Sequence, residues 1–111
     1  MKTKLTAFFV FLISFQSLAA FNCNVDISRV LIYADGSVNV LHTGRGDFTY
    51  ICNLQSERQG VSVTTCAMWT SMLQNVQSDA TKATFYFAGT GSCSTMATYG
   101  SAPVPIYIGT I

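Results

Sequence analysis

Several side chains in this sequence could do chemistry, but they do not form a pattern that catalysis requires. General acid–base and nucleophilic mechanisms need a base held next to an activated group. His42 is the sole histidine, and it alternates with Val38 and Val40 as a residue at the end of a β-strand would. The carboxylates are scattered among predicted turns and element ends without a paired motif: Asp26, Asp35, Asp47, Glu57 and Asp79. We therefore predict no catalytic residues and no enzyme activity, and a small enzyme that uses His42 is the least favoured alternative.

Cofactor and metal sites are not predicted either. The glycine-rich segment Gly89-Thr90-Gly91-Ser92 lacks the Gly-Lys-Ser or Gly-Lys-Thr ending of a phosphate loop, and it does not open a helix. The cysteines form no Cys-x-x-Cys pair, and one histidine is too few for a typical zinc site. Turn chemistry explains the glycines, and we expect no bound cofactor.

Two features could instead serve recognition. Arg45-Gly46-Asp47 is the tripeptide found in many integrin ligands, although an ordinary turn is the favoured interpretation of so short a motif. Tyrosine side chains combine an aromatic ring with a polar end and could stack on sugars. The sequence contains five of them and does not show which lie together: Tyr33, Tyr50, Tyr86, Tyr99 and Tyr107.

Four cysteines point to two disulfides, because an even number in a small exported chain is typical of a disulfide framework. Three pairings are open on sequence grounds. Residues 48–54 and 61–66 are predicted as two strands joined by a turn over 55–60, and that hairpin would place Cys52 opposite Cys66. The preferred pairing is therefore Cys52 with Cys66, which leaves Cys23 with Cys93.

The amino-terminal segment has the organisation of an export signal. Lys2 and Lys4 precede an apolar run over residues 5–15, which is shorter than the roughly 20 residues that span a bilayer. A signal peptide over residues 1–20 is therefore favoured over a retained membrane helix. The polar Asn22 before Cys23 also argues against a lipid-modified cysteine. We predict a single disulfide-bonded, β-rich domain over residues 21–111, secreted or periplasmic and without stable membrane insertion.

Removal of the signal changes the charge of the protein. The full chain has six basic and five acidic residues, and loss of Lys2 and Lys4 leaves four basic residues against five acidic ones. A domain with a formal charge of −1 lacks the basic field that attracts nucleic acid or anionic lipid. Those two partner classes are therefore not expected.

The predicted secondary-structure elements determine where these candidate residues lie. Asp35-Gly36 lies between two β-branched segments, which predicts a hairpin over residues 30–41 with a two-residue turn. The other predicted elements are the hairpin over 48–66, an amphipathic helix over 67–79, a strand over 82–87, a less regular strand over 94–99 and an edge strand over 106–111. This order predicts an α+β, mainly β fold, a small OB-like open β-barrel with one amphipathic helix and two disulfides.

The predicted helix has two contrasting faces. Its apolar stripe should place Trp69 and Leu73 in the core. The opposite face carries no lysine, arginine or glutamate, and its residues are candidates for contact with another subunit: Thr70, Ser71, Gln74, Asn75 and Gln77. Contact with solvent is the more conventional alternative.

One stretch of the chain resembles a known family. Tyr50-Ile51-Cys52, then Val63-Thr64-Thr65-Cys66-Ala67, Trp69, Leu73 and the strand over 82–87 resemble the B subunits of the subtilase-cytotoxin and pertussis-like toxin group. The resemblance spans residues 50–87. It implies an oligomer-forming barrel that binds host glycans, commonly sialylated ones, and it carries over no individual sugar-contact residue.

The resulting functional prediction is a secreted or periplasmic, non-enzymatic binding domain, of the glycan-binding toxin-B type, that self-associates through its helix. Its ligand would be a glycan or a protein. The main alternative is a periplasmic or secreted inhibitor of a hydrolase, whose loops over residues 45–47 or 57–59 would contact the target enzyme. A stand-alone envelope protein with another ligand is a further alternative.

Overall fold

The computed structural model describes residues 19–111, and the predicted signal peptide lies almost wholly outside the described residues. The described chain is mainly β, with one helix and two disulfides. Its elements are β1 (Ala20–Ile32), β2 (Ser37–His42), β3 (Phe48–Asn53), α1 (Val63–Asp79), β4 (Lys82–Ala88) and β5 (Tyr107–Thr110).

The five strands form one open antiparallel sheet in the order β3-β2-β1-β4-β5. β1 is central and changes partner along its length. Its first half pairs with β4, from Ala20 opposite Ala88 to Asp26 opposite Lys82, and its second half pairs with β2. An irregularity between Ile27 and Arg29 marks the change, and such bulges bend a strand and increase its twist.

The predicted β1–β2 hairpin is confirmed, with a longer connection than the predicted two-residue turn. Ile32 pairs with Val38, and the Gly36 N–H donates to the Tyr33 carbonyl at 2.9 Å. Gly36 has a φ of 89°, and a Cβ atom there would lie 2.6 Å from Asn53 Oδ1. The Asp35 carboxylate accepts a hydrogen bond from the Ser37 N–H at 3.0 Å. Both predicted turn residues therefore shape the loop.

The predicted strand over residues 61–66 is wrong, because α1 begins at Val63. Ser62 caps the helix by accepting a hydrogen bond from the Thr65 N–H at 3.1 Å, so the β-branched residues Val63, Thr64 and Thr65 form the first turn. The disulfide between Cys52 and Cys66 exists and joins β3 to this first helical turn. The predicted pairing is confirmed, but the hairpin register that led to it is not.

The core lies between α1 and one face of the sheet. Trp69 and Leu73 of α1 are buried in this core, as predicted, together with Phe85 and Phe87 of β4. Each fully buried side chain of this size contributes about 1.5–3 kcal/mol relative to solvent exposure. The second disulfide, Cys23 to Cys93, ties β1 to the segment after β4 and confirms the other predicted pairing.

The segment between β4 and β5 differs from the sequence expectation. Residues 94–99 form turns instead of a strand, with Met96 buried. Tyr99 makes an isolated parallel bridge with Thr49 of β3, so this segment covers the edge of β3. The predicted edge strand after Pro105 is confirmed as β5.

Candidate functional site

The fold separates the five tyrosines into two groups. Tyr86 and Tyr107 are cross-strand neighbours on β4 and β5, and their rings stack with centroids 4.9 Å apart. Tyr33, Tyr50 and Tyr99 belong to the opposite half of the sheet, together with Phe48. We call the second group the tyrosine face: Tyr33, Phe48, Tyr50 and Tyr99.

Three separate segments build the tyrosine face. Side chains alternate along β3, so Thr49 is buried towards the core while Phe48 and Tyr50 lie on the outer side and are half-buried. Tyr33 comes from the loop after β1, and Tyr99 comes from the loop between β4 and β5. Tertiary folding alone brings these loops to the same strand.

Tyr99 is held in an unusual conformation. Its φ is 51°, a left-handed value that is uncommon for a residue other than glycine. Its N–H donates to the Phe48 carbonyl at 2.8 Å, its ring centroid lies 5.9 Å from that of Phe48, and 47% of the residue is exposed. Strained backbone that presents an exposed aromatic side chain is a feature of ligand-contact sites.

Arg58 braces the tyrosine face from its side. Its guanidinium donates to the Tyr50 carbonyl at 2.9 Å and to the Gly100 carbonyl at 3.2 Å. The same group lies 3.8 Å from the centroid of the Tyr50 ring. Partial burial lowers the pKa of this guanidinium from its ordinary value, but the planar group remains a cation that can stack on the ring and donate to both carbonyls. Arg58 therefore links β3 to the loop that carries Tyr99.

Polar groups border the aromatic rings. The pKa of the Tyr99 phenol is raised above its usual value. Partial desolvation is the larger cause, and the negative charge of Asp47 is the next. The Asp47 carboxylate also accepts a hydrogen bond from the Phe48 N–H at 2.8 Å. The Tyr50 hydroxyl accepts a hydrogen bond from Asn53 Nδ2 at 2.9 Å.

Asn39 lies on β2 directly opposite Tyr50, so the two side chains share the outer side of the sheet. The residue is only 4% exposed, and its Oδ1 atom has no hydrogen-bond partner among residues 19–111. A buried acceptor without a partner costs about 1–3 kcal/mol. A donor supplied from outside the chain would remove that cost.

Arg45-Gly46-Asp47 forms a turn in the structure, and the side chain of its arginine is already engaged. Arg45 Nε donates to the Met96 carbonyl at 2.7 Å, and Gly46 has a φ of 75°. The turn joins β2 to β3, where Asp47 accepts a hydrogen bond from Phe48. Through Arg45 and Met96 it also contacts the loop before Tyr99. Arg45 and Arg58, the cations of the two loops considered for hydrolase inhibition, are thus both held by backbone carbonyls.

His42 is buried behind β2 and far less accessible than the tyrosine face. A hydrogen bond joins its Nε2 to Thr49 Oγ1 at 3.0 Å, its ring stacks on Phe85, and its Nδ1 has no partner among the described residues. Desolvation, with a smaller contribution from Arg45, lowers its pKa to about 4. The ring is therefore neutral at ordinary pH and packs as part of the core.

The predicted oligomer-contact face of α1 is divided by the structure. Thr70 is buried and donates to the Cys66 carbonyl at 2.7 Å, and Gln77 donates to the Ser28 carbonyl of β1 at 2.8 Å. These two residues serve the fold, because each satisfies a backbone carbonyl. Gln74 is exposed, while Ser71 and Asn75 line a groove of about 290 Å³ beside Met68, Met72 and Thr110.

The described part of the chain shows neither of two other kinds of site. No group of three or more histidine, cysteine, aspartate or glutamate side chains could hold a metal ion there. No helix within residues 19–111 is long and apolar enough to cross a membrane.

Sequence reasoning missed several members of the site. Phe48 could have been found, because it lies two residues before the candidate Tyr50 on a predicted strand and therefore shares one face with it. Asn39 and Arg58 carry no local signal, since their roles depend on partners from other elements. No protein-family model matches the chain, and no curated protein or solved structure is detectably similar to it.

Proposed function

We propose that the protein is an exported, non-enzymatic glycan-binding domain whose binding site is the tyrosine face. The observation that carries this proposal is the contact between the rings of Phe48, on β3, and Tyr99, in the loop after β4, beside the Asp47 carboxylate. Two disulfides suggest an oxidising, extracytoplasmic environment, which is where host or envelope glycans are encountered.

The chemistry of the face suits a sugar. A pyranose ring presents apolar C–H groups on one side and hydroxyls around its rim, so it needs an aromatic surface bordered by hydrogen-bonding groups. The rings of Tyr99 and Phe48 supply the surface, and the Asp47 carboxylate can accept from a hydroxyl.

The position of the face within the fold supports the same proposal. The element order β1-β2-β3-α1-β4-β5 is that of an OB-like barrel, and the bridge from Thr49 to Tyr99 brings the segment after β4 against β3. OB-folds bind oligosaccharides and oligonucleotides on strands 2 and 3 and on the loops after strands 1 and 4. Tyr33 and Tyr99 lie in those two loops, and Phe48 and Tyr50 lie on β3. We accordingly propose an OB-like domain related in function to toxin B subunits.

A glycan array followed by calorimetric titration of the best ligand would test the proposal. The Tyr99→Ala variant should weaken binding at least tenfold, because it removes the most exposed ring of the face. Tyr107→Ala is a matched control, since Tyr107 is 45% exposed and Tyr99 47%, but Tyr107 lies on the other half of the sheet. Its affinity per site should equal that of the unmodified protein.

Two outcomes would contradict this function. Binding of no glycan on the array by a correctly folded protein would remove the sugar as ligand. Equal losses in Tyr99→Ala and Tyr107→Ala would place the site elsewhere.

A further inference from the structure

The two edge strands of the sheet, β3 and β5, differ in whether other parts of the chain bind their outward backbone groups. At β3, the Tyr99 N–H donates to Phe48 and the Arg58 guanidinium donates to Tyr50, so the loop after β4 and the Arg58 side chain satisfy backbone carbonyls of this edge. At β5, the opposite edge, no described residue forms a comparable contact. Backbone groups of an uncovered edge strand are a template for pairing with another strand.

The hydrogen-bond pattern shows which groups of β5 are open. The Ile111 N–H donates to the Lys82 carbonyl of β4. Backbone groups alternate in direction along a strand, so Tyr107, Gly109 and Ile111 face β4. The N–H and C=O groups of Ile108 and Thr110 therefore point away from the sheet. We call these two residues the open edge.

The segment of chain that contains the open edge is largely apolar and carries no charged side chain. None occurs from Ala102 to Ile111. Large hydrophobic residues here are well exposed, with Ile106 at 56% and Ile111 at 69%. Natural edge strands are usually protected by charges, prolines or bulges within the strand, and β5 contains neither a charge nor a proline.

We propose that β5 pairs antiparallel with β5 of a second copy of this chain, across a two-fold axis at Gly109. In this register Ile108 lies opposite Thr110 of the second copy, and both residues of the open edge form hydrogen bonds in both directions. The two Gly109 residues form the close, non-hydrogen-bonded pair on the axis, where Cα atoms are about 4.5 Å apart. Glycine leaves that approach unobstructed.

The same register accounts for the exposed side chains around β5. Tyr107 packs one side of its ring against Tyr86, and on the outer side of the sheet it would lie opposite Ile111 of the second copy. On the helix side, Thr110 lines the groove that also contains Met68, Met72 and Val76. The paired strand would extend over this groove and cover its apolar part.

The charges near β5 are compatible with a second copy of this chain. A two-fold axis brings every group near the axis close to its own copy, so an uncompensated charge there would be repelled. The open edge has no charged side chain, Lys82 of β4 is paired with Asp26 at 3.0 Å, and Asp79 borders the groove on the helix side. This interface does not involve the tyrosine face and is independent of the glycan proposal.

A cysteine cross-link tests the register. In Gly109→Cys the two introduced thiols would be close enough for a disulfide, since bridged Cα atoms lie about 4.4–6.8 Å apart. Mild oxidation of the purified exported protein should give a covalent dimer on a non-reducing gel. Thr84→Cys is the control, because Thr84 is the cross-strand neighbour of Gly109 on β4 and would lie about 14 Å from its copy, three strand spacings. It should give no dimer.

A second pair of variants tests the hydrogen bonds without a cysteine. Thr110→Pro removes an N–H that points away from β4, so the monomer should fold but not pair, whereas Thr110→Val retains the N–H and should still dimerise. Sedimentation analysis should show a dimer for the unmodified protein and Thr110→Val, and a monomer for Thr110→Pro. A monomeric unmodified protein, a dimeric Thr110→Pro, or cross-linking of Thr84→Cys equal to that of Gly109→Cys would each overturn the proposal.

Discussion

The guanidinium carbon of Arg58 lies 3.8 Å from the centroid of the Tyr50 ring, on which the group stacks. The same guanidinium donates hydrogen bonds to the carbonyl groups of Tyr50 and Gly100, on the two sides of the tyrosine face. One side chain thus connects the strand that carries Phe48 and Tyr50 with the loop that carries Tyr99. Its planar fork is what allows two acceptors and an aromatic ring to be engaged together.

Loss of this connection should destabilise the fold and weaken binding. Arg58→Ala removes two charge-assisted hydrogen bonds and a cation–π contact, and we expect the free energy of unfolding to fall by about 2–3 kcal/mol. Urea denaturation would measure it. Arg58→Lys keeps the charge without the fork and should recover less than half of the loss; full recovery would show that charge alone matters.

His42 should make stability depend on pH. Its pKa is about 4 in the folded protein and 6.5 in the unfolded reference, so between those values the unfolded chain binds a proton that the folded chain does not. The free energy of unfolding should therefore decrease as the pH falls through this window, by about 3 kcal/mol in total. Denaturation curves from pH 7 to pH 4 would measure the slope.

His42→Gln is the control for this pH dependence. An amide can still form a hydrogen bond with Thr49 but does not titrate, so the slope between pH 6.5 and 4 should largely disappear. An unchanged slope would assign the effect to other groups.

Tyr99 should show a conflict between stability and binding. Tyr99→Gly removes the conformational cost of a left-handed tyrosine, which would raise the free energy of unfolding by about 1–2 kcal/mol. The greater entropy of glycine in the unfolded chain cancels roughly half of that increase. We expect a net stabilisation of about 0.5–1 kcal/mol together with loss of glycan binding. Thermal unfolding and calorimetric titration would measure the two effects separately.

Ala80→Gly is the matched control for Tyr99→Gly. Ala80 ends α1 with a φ of 53° and lies outside the tyrosine face. It should give a similar stabilisation with unchanged affinity for the ligand. Destabilisation of Tyr99→Gly alone would mean that the contact of its ring with Phe48 outweighs the backbone strain.

The two disulfides should contribute unequally. Cys52 and Cys66 are separated by 14 residues and Cys23 and Cys93 by 70, so the loop-entropy model assigns them about 3 and 4 kcal/mol. Replacement of each pair by alanine, followed by denaturant titration, should rank the variants in that order. The reverse order would show that packing at Cys52 and Cys66, both fully buried, outweighs chain entropy.

Much of the fold could be predicted because its signals are local. Asp35-Gly36 marks the first hairpin, the spacing of Trp69, Leu73 and Val76 marks the helix, and the prolines at 103 and 105 confine the last strand to an edge. The errors also have local causes. Val63, Thr64 and Thr65 favour a strand by type, but the cap at Ser62 and the bridge to Cys52 make them the first turn of α1.

The candidate site could be predicted only in its composition. The sequence by itself determined that five tyrosines, four cysteines and a formal charge near zero would be available, and that two hairpin strands and one helix would form, because turn, cap and periodicity signals act over a few residues. Only the tertiary structure decided that Tyr99 meets Phe48 at β3 while Tyr86 and Tyr107 lie in the other half of the sheet. The reason is that partners such as Arg58 and Gly100 are 42 residues apart in sequence, and only the sheet order brings them into contact.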